Sequence, residues 1–164
     1  MTQGQQAGSL LLQPAEVQDL DQLLRLEQES CPLPWTSTMF EAELRGNPFG
    51  HLSTVRLVDA AGRPSEIAGY ICFWVVFEEL RLMNLAVASP WRRQGLGMAL
   101  VRHALSVGLE KGAGRAVLEV RGSNEAARKL YEGLGFVQTA VRTKYYTNPI
   151  EDALLMEMVP LLVG

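Results

Sequence analysis

Arg92-Arg93-Gln94-Gly95-Leu96-Gly97-Met98 lies between a stretch that reads as a strand, Glu79 to Ala88, and one that reads as a helix, Gly95 to Glu110. A helix start offers unpaired N–H groups and the positive end of the helix dipole, a combination that suits a phosphate. Glycines at 95 and 97 let the backbone approach an anion closely, and Arg92 and Arg93 add positive charge. Two familiar phosphate loops are excluded. A dinucleotide fingerprint needs a third glycine at position 100, which is Leu100 here. A Walker loop needs Gly-Lys-Ser/Thr after four intervening residues, and no such run is present. Taken alone, the pattern serves equally well as a tight strand-to-helix turn with solvated arginines.

Upstream of this loop, Ser9 to Gln13 reads as an edge strand ended by Pro14. From Glu16 to Glu29, Val17, Leu20, Leu23, Leu24 and Leu26 recur at helical spacing. Cys31-Pro32-Leu33-Pro34 breaks that helix, because proline cannot donate the next backbone bond. Thr36 is placed to cap a short second helix through about Leu44. Two more strands are expected, at His51 to Val58 and Glu66 to Phe77, joined by the turn Ala61-Gly62-Arg63-Pro64. Downstream of the loop, a strand is expected at Ala116 to Arg121 and a helix at Asn124 to Glu132. Strands at Phe136 to Tyr146 and Asp152 to Val159 then close the sheet. This order, a strand meander followed by a β-helix-β-helix-β unit, predicts an α/β fold with a mixed sheet and helices on both faces.

The chain of 164 residues is long enough for one domain with a substantial core, expected over residues 9–164 behind a polar tail at 1–8. The longest apolar run, Tyr70 to Phe77, is far too short to cross a bilayer, and the first eight residues lack the pattern of a secretory signal. Cys31 and Cys72 have no CxxC or Cys/His partners, so neither a metal site nor a disulfide framework is expected, and a reducing cytoplasm fits. Cys72 sits in the apolar run and reads as a buried inert thiol. A net charge of −3 lacks the broad basic surface of a nucleic-acid binder.

The neighbouring segments make the glycine loop specific. Asn84-Leu85-Ala86-Val87 leads through Pro90 into Arg93-Gln94-Gly95-Leu96-Gly97. Leu118-Glu119-Val120-Arg121, Ser123-Asn124, Ala127, Leu130-Tyr131 and Leu134-Gly135-Phe136 then follow. In this order and spacing, the set resembles the GNAT superfamily of acetyl-CoA-dependent N-acetyltransferases. Within it, the chain is similar to the RimI branch, the bacterial ribosomal-protein-alanine N-acetyltransferases. That likeness extends to Pro34-Trp35-Thr36, Arg142, Tyr145-Tyr146 and Glu151-Asp152-Ala153. It implies a mostly antiparallel sheet whose fourth and fifth strands splay apart to admit the pantetheine arm of acetyl-CoA. Backbone groups of Leu85, Ala86 and Val87 would bond that arm and polarise the acetyl carbonyl. The amides of Arg93, Gln94, Gly95, Leu96, Gly97 and Met98 would hold the pyrophosphate, and Asn124 would contact the cofactor.

Acetyl transfer to an amine requires a neutral amine and benefits from a proton on the departing thiolate. Glu119 alternates with apolar Ala116, Leu118 and Val120 and so faces away from them, with Val117 and Arg121. By pattern alone it is a solvated position or a partner of Arg121; the resemblance makes it the general base. By pattern Tyr131 is a core contact beside Leu134 and Phe136; the resemblance makes it the general acid. His103 shares a helix face with Leu96, Leu100 and Val107 and reads as a core-edge histidine, and His51 has no evident partner. No Ser or Cys is paired with a histidine as a nucleophile, so direct transfer in a ternary complex is expected.

The resemblance points to a protein N-terminus as acceptor, specifically the N-terminal alanine of a ribosomal protein. Pro34-Trp35 and Tyr145-Tyr146 could wall a peptide groove or simply pack. Glu41, Glu43, Glu78, Glu79, Glu151 and Asp152 could favour a basic peptide. Two other readings stand beside this one: the same fold acetylating a lysine or a small-molecule amine, and a CoA-binding regulatory module without turnover.

Overall fold

The computed structural model describes residues 9–163; the tail expected at 1–8 lies outside the described residues. Among the described residues the seven strands are β1 (Ser9–Pro14), β2 (Gly50–Val58), β3 (Gly69–Val76), β4 (Glu79–Val87), β5 (Arg115–Arg121), β6 (Val137–Thr147) and β7 (Ile150–Met158). The helices are α1 (Leu20–Ser30), α2 (Ser37–Leu44), α3 (Leu96–Glu110) and α4 (Glu125–Leu134). The strands form one sheet in the order β1-β2-β3-β4-β5-β7-β6, antiparallel throughout except between β4 and β5.

Local chemistry sets the element ends. Thr36 caps α2 by accepting the Met39 N–H at 3.3 Å. Helix α1 begins at Leu20 rather than Glu16, because Asp19 accepts the Glu16 N–H at 2.8 Å and holds Val17–Asp19 in a tighter turn. Strand β3 starts at Gly69 rather than Glu66, since the Ile67 N–H is taken by the Gln22 side chain at 2.9 Å. Gly69 pairs beside Val87 of β4, where an added Cβ would sit 2.9 Å from the Ala86 carbonyl oxygen.

Two cores flank the sheet. On one face α3 buries Leu96, Leu100, Val101, Ala104 and Leu105 against Val55, Ile71, Phe73, Leu80, Leu118 and Val120, with Tyr131 and Phe136 alongside. On the other, Leu23 and Leu26 of α1 and Phe40 of α2 pack on Leu52, Tyr70, Cys72 and Ala86. Among the described residues no helix is long and apolar enough to cross a membrane.

Two irregularities shape the centre of the sheet. Cys72 faces Asn84 while Phe73 faces Leu82, so Met83 is an extra residue in β4. This bulge shifts the alternation: Leu80 and Leu82 before it, and Leu85 and Val87 after it, all pack toward α3. Parallel pairing of β4 with β5 then stops at Leu82↔Leu118. Beyond that point β4 stays on β3 to Val87, and β5 stays on β7 to Arg121. The two strands diverge, and a gap opens in the middle of the sheet.

Candidate active site

At one end of the gap stands the glycine loop. Arg93 (φ 60°) and Gly95 (φ 82°) both adopt left-handed backbone, which turns the chain from β4 into α3. Gly95 is required for that backbone angle rather than for space, since a Cβ there would meet nothing within 4 Å. The first amide of α3 to find a backbone acceptor is Ala99, which donates to the Gly95 carbonyl at 3.0 Å. The six preceding amides, Arg93 to Met98, meet no acceptor among the described residues, and no side chain caps the helix. A run of unpaired N–H groups at the positive end of a fifteen-residue helix is an anion cradle. Arg92 does not face it: its Nε donates to the Val87 carbonyl at 3.0 Å and its guanidinium reaches the Ser30 hydroxyl at 3.5 Å, so it is turned toward α1.

Strand β4 forms one wall of the gap. The Ala88 N–H donates to the Ala68 carbonyl at 2.8 Å, which fixes the alternation of the β3–β4 ladder. In that ladder Ala86 directs its backbone groups to Tyr70, whereas Leu85 and Val87 direct theirs toward β5. Of the three residues expected to meet the pantetheine by their backbone, only Leu85 and Val87 therefore face the gap. The Leu85 N–H is accepted by the Asn84 Oδ1 at 3.0 Å.

Glu119 lies on the α1 face of β5, opposite the buried Ala116, Leu118 and Val120, as its alternation predicts. It opens onto a cleft of about 440 Å³ that Trp35, Met83, Arg142, Tyr145 and Tyr146 also line. Its Oε1 lies 3.4 Å from a guanidinium nitrogen of Arg142, and its side chain is 30% exposed. It is not paired with Arg121. That guanidinium stacks 4.0 Å above the Tyr146 ring and lies 3.6 Å from Glu151. Ser123 fixes Glu151 through its hydroxyl at 2.8 Å and its N–H at 3.2 Å, and the hydroxyl bond is the main reason the carboxyl is held below its usual range. Burial, then the charge of Glu119, raises the Tyr146 phenol.

The acids expected to attract a basic peptide do not line this cleft. Glu43 accepts the Trp74 indole N–H, Glu79 pairs with Arg81 and Arg115, and Asp152 accepts the Lys144 N–H. The charges that do line it are Arg81, Arg115 and Arg142 against Glu119 and Glu157. The sequence count of acids was therefore a poor guide to the charge of the groove.

Tyr131 stands on the opposite face of the sheet, in the α3 core, 5.8 Å from Phe136 between ring centres. It is 8% exposed, and burial pushes its phenol up to about 12. Its hydroxyl has no hydrogen-bond partner among the described residues. Glu119 and Tyr131 thus belong to opposite faces of the sheet, Glu119 on the cleft beside β5 and Tyr131 in the α3 core. Asn124 caps α4 by accepting the Ala127 N–H at 3.2 Å, which leaves its Nδ2 available to a ligand.

The remaining polar groups have structural roles. His103 lies 3.2 Å from the Ser53 hydroxyl at the core edge, as its spacing suggests, and burial lowers both it and His51. Cys72 is fully buried and Cys31 partly so, and burial raises both thiols, Cys31 to about 12. Among the described residues no cluster could hold a metal ion. Sequence reasoning passed over Glu27, which is buried and bonded to the Asn84 side chain. The available signal was its place in the apolar stripe of α1, four residues after Leu23 and seven after Leu20.

Comparison with known proteins gives a consistent result. Residues 20–136 match the Acetyltransferase (GNAT) family. A Bacillus subtilis (strain 168) protein, named as a candidate ribosomal protein bS18-alanine N-acetyltransferase, is 36% identical over 140 residues, covering 85% of this chain and 89% of that protein. The ribosomal protein bS18-alanine N-acetyltransferase of Escherichia coli (strain K12) is 34% identical over 145 residues, covering 87% of this chain and 93% of its own length. The crystal structure of the ribosomal-protein-S18-alanine N-acetyltransferase from Escherichia coli superposes with a TM-score of 0.81 at 30% identity, over 95% of this chain and 97% of that one.

Proposed function

Because this chain belongs to the GNAT acetyltransferase family and is an acetyl-CoA-dependent N-acetyltransferase, we propose that it acetylates a protein N-terminus, the N-terminal alanine of a ribosomal protein, with Glu119 as general base and Tyr131 as general acid. One observation carries the reading: the β4–β5 gap has six unpaired amides at one end and a carboxylate-bearing cleft along one side. The relatives named for this reaction are matched over most of their length, which supports the same acceptor class. A ribosomal acceptor places the enzyme in the cytoplasm, and residues 9–164 act as one domain.

Bound acetyl-CoA supplies an activated thioester, and the protein's own groups supply position and proton traffic. The amides of Arg93, Gln94, Gly95, Leu96, Gly97 and Met98 fit a pyrophosphate, and the gap-facing backbone of Leu85 and Val87 fits the pantetheine arm. An α-ammonium has a pKa of roughly 7.7–8.0, so Glu119 has little work to do near neutral pH, whereas a lysine near 10.4 asks far more of it. Trp35, Tyr145 and Tyr146 bound the acceptor side, and the Arg121 stack fixes the Tyr146 ring there. Across the gap Tyr131 stays protonated through the working pH range and can present its hydrogen to the leaving sulfur.

The test is mass spectrometry of a small peptide panel incubated with enzyme and acetyl-CoA. Acetylation of the α-amine of an Ala-starting peptide is the expected product. Modification confined to lysine or a polyamine would replace the acceptor, and coenzyme binding without product would remove the enzyme assignment. Glu119→Gln should lower turnover at neutral pH by about tenfold, the shortfall of neutral α-amine there, and by less at alkaline pH where the amine is already neutral. An unchanged pH–rate profile would remove Glu119 from the base role.

A further inference from the structure

Glu27 is 1% exposed and lies between the two halves of the site. One carboxylate oxygen accepts the Trp35 N–H at 3.2 Å, and the other accepts the Asn84 Nδ2 at 3.0 Å. The same Nδ2 lies 2.9 Å from the hydroxyl of the fully buried Tyr70. On its other side Asn84 accepts the Leu85 N–H through Oδ1 at 3.0 Å. Trp35 lines the acceptor cleft, and the Leu85 N–H faces the gap. No lysine or arginine pairs with Glu27 among the described residues. A buried carboxyl without a cation stabilises a fold less than an apolar side chain of similar size, so its presence in an apolar stripe calls for another reason.

We propose that Glu27 is a positioning residue for the transfer, holding as one unit the strand end that meets the acetyl group and the loop that walls the acceptor cleft. The proposal rests on the acetyl-transfer reading above. Its logic is donor and acceptor polarity. Both Glu27 oxygens accept in this network, so Asn84 turns its NH₂ toward it. Only in that orientation does the Asn84 oxygen meet the Leu85 N–H and fix the peptide plane between residues 84 and 85. A flipped Asn84 would set donor against donor at Leu85. The Trp35 N–H on the second carboxylate oxygen ties the acceptor wall to the same anchor, so an error at Glu27 moves both reacting partners.

Polarity also supplies the test. Glu27→Gln leaves one acceptor where two are needed, and Asn84→Asp sets two carboxyl groups against each other. The pair Glu27→Gln with Asn84→Asp satisfies every contact again once the Tyr70 hydroxyl turns from accepting the Asn84 Nδ2 to donating to the introduced carboxylate. The amide introduced at position 27 accepts from Trp35 through its oxygen and donates through its NH₂ to the carboxylate introduced at position 84. The other oxygen of that carboxylate accepts the Leu85 N–H. In Glu27→Gln, kcat on an Ala-starting peptide should fall by about tenfold to a hundredfold, as for a small misplacement of reacting groups, with CoA affinity retained. Asn84→Asp should lose more, and the pair should recover most of the loss. Without any ligand, NMR hydrogen exchange at the Leu85 amide should lose protection in each single variant and regain it in the pair. Wild-type kcat in a folded Glu27→Gln protein, even one that melts lower, would reduce Glu27 to a structural role and overturn the proposal. If neither single variant folds, the pair decides alone: near wild-type kcat and a protected Leu85 amide support it, and a folded pair lacking either overturns it. Failure of the wild-type protein to take up CoA in calorimetry is a separate result, which removes the acetyl-transfer reading itself.

Discussion

Helices α3 and α4 both begin near the gap, and their N-termini are finished in opposite ways. The start of α3 has glycine at its cap, a left-handed turn and six amides without acceptors. The start of α4 has Asn124, whose side chain accepts the Ala127 N–H, and Glu125 in its first turn. Both ends carry the same positive dipole, but the first leaves six donors open while the second satisfies all but the Ala126 N–H among the described residues. The contrast separates two jobs that a motif runs together. Helix α3 is built to receive an anion, and α4 is a self-sufficient support for the side chain it carries, Tyr131.

The sharpest way to break this contrast is to close the open end. Aspartate tolerates the left-handed backbone better than most residues, so Gly95→Asp should fold while placing a carboxylate among the loop amides. Calorimetry with CoA should show affinity weakened by about a hundredfold, the scale of like charges brought together at a binding surface. Undiminished affinity would mean that these amides do not hold the coenzyme's diphosphate.

Next in size is the residue that α4 supports. Tyr131→Phe should lower kcat by about tenfold, the value of a hydrogen bond to a charge developing on sulfur, while CoA affinity stays near wild type. A parallel fall in affinity would give α4 the binding role assigned here to α3. A second signature comes from stability. The folded phenol is raised to about 12 from the ordinary 10, so its neutral form is favoured by folding. The unfolded chain loses that proton first, and stability is full below pH 10 and falls as pH rises through 12. The loss is of order 3 kcal/mol, and the difference between wild-type and Tyr131→Phe melting over that window isolates it from the cysteines.

The sequence made both helix ends legible only with help. Two glycines between an apolar strand and an apolar helix mark a tight turn, and it is the flanking family segments that make that turn an anion site. Asn124 could be read from its family position as a cofactor contact, but its capping bond depends on geometry three residues on. The orientation of Glu119 was legible from simple alternation along β5, which contains no irregularity. The same argument fails along β4: Met83 bulges, the alternation shifts, and nothing local marks which backbone groups of Leu85, Ala86 and Val87 face the gap. The Arg142 partner of Glu119 and the Glu27 network were out of reach for a different reason. Each joins residues far apart in the chain, and only the packed sheet brings them together.

The smallest effect is also the most discriminating, because Asn124 has two ends. Serine caps a helix about as well as asparagine and adds no charge, so Asn124→Ser should leave the melting temperature nearly unchanged, whereas Asn124→Ala should cost about 1 kcal/mol. What Asn124→Ser removes is the Nδ2 donor that the cap does not use. If that donor reaches the cofactor, CoA affinity should fall about fivefold, the worth of one ordinary hydrogen bond. Equal affinity in Asn124→Ser and wild type would make residue 124 a cap and nothing more. The two helix ends would then differ completely, with α3 binding and α4 only bearing Tyr131. A loss in Asn124→Ser with stability intact would instead show that a closed helix end can still reach the ligand by the half of its capping side chain that the cap does not use.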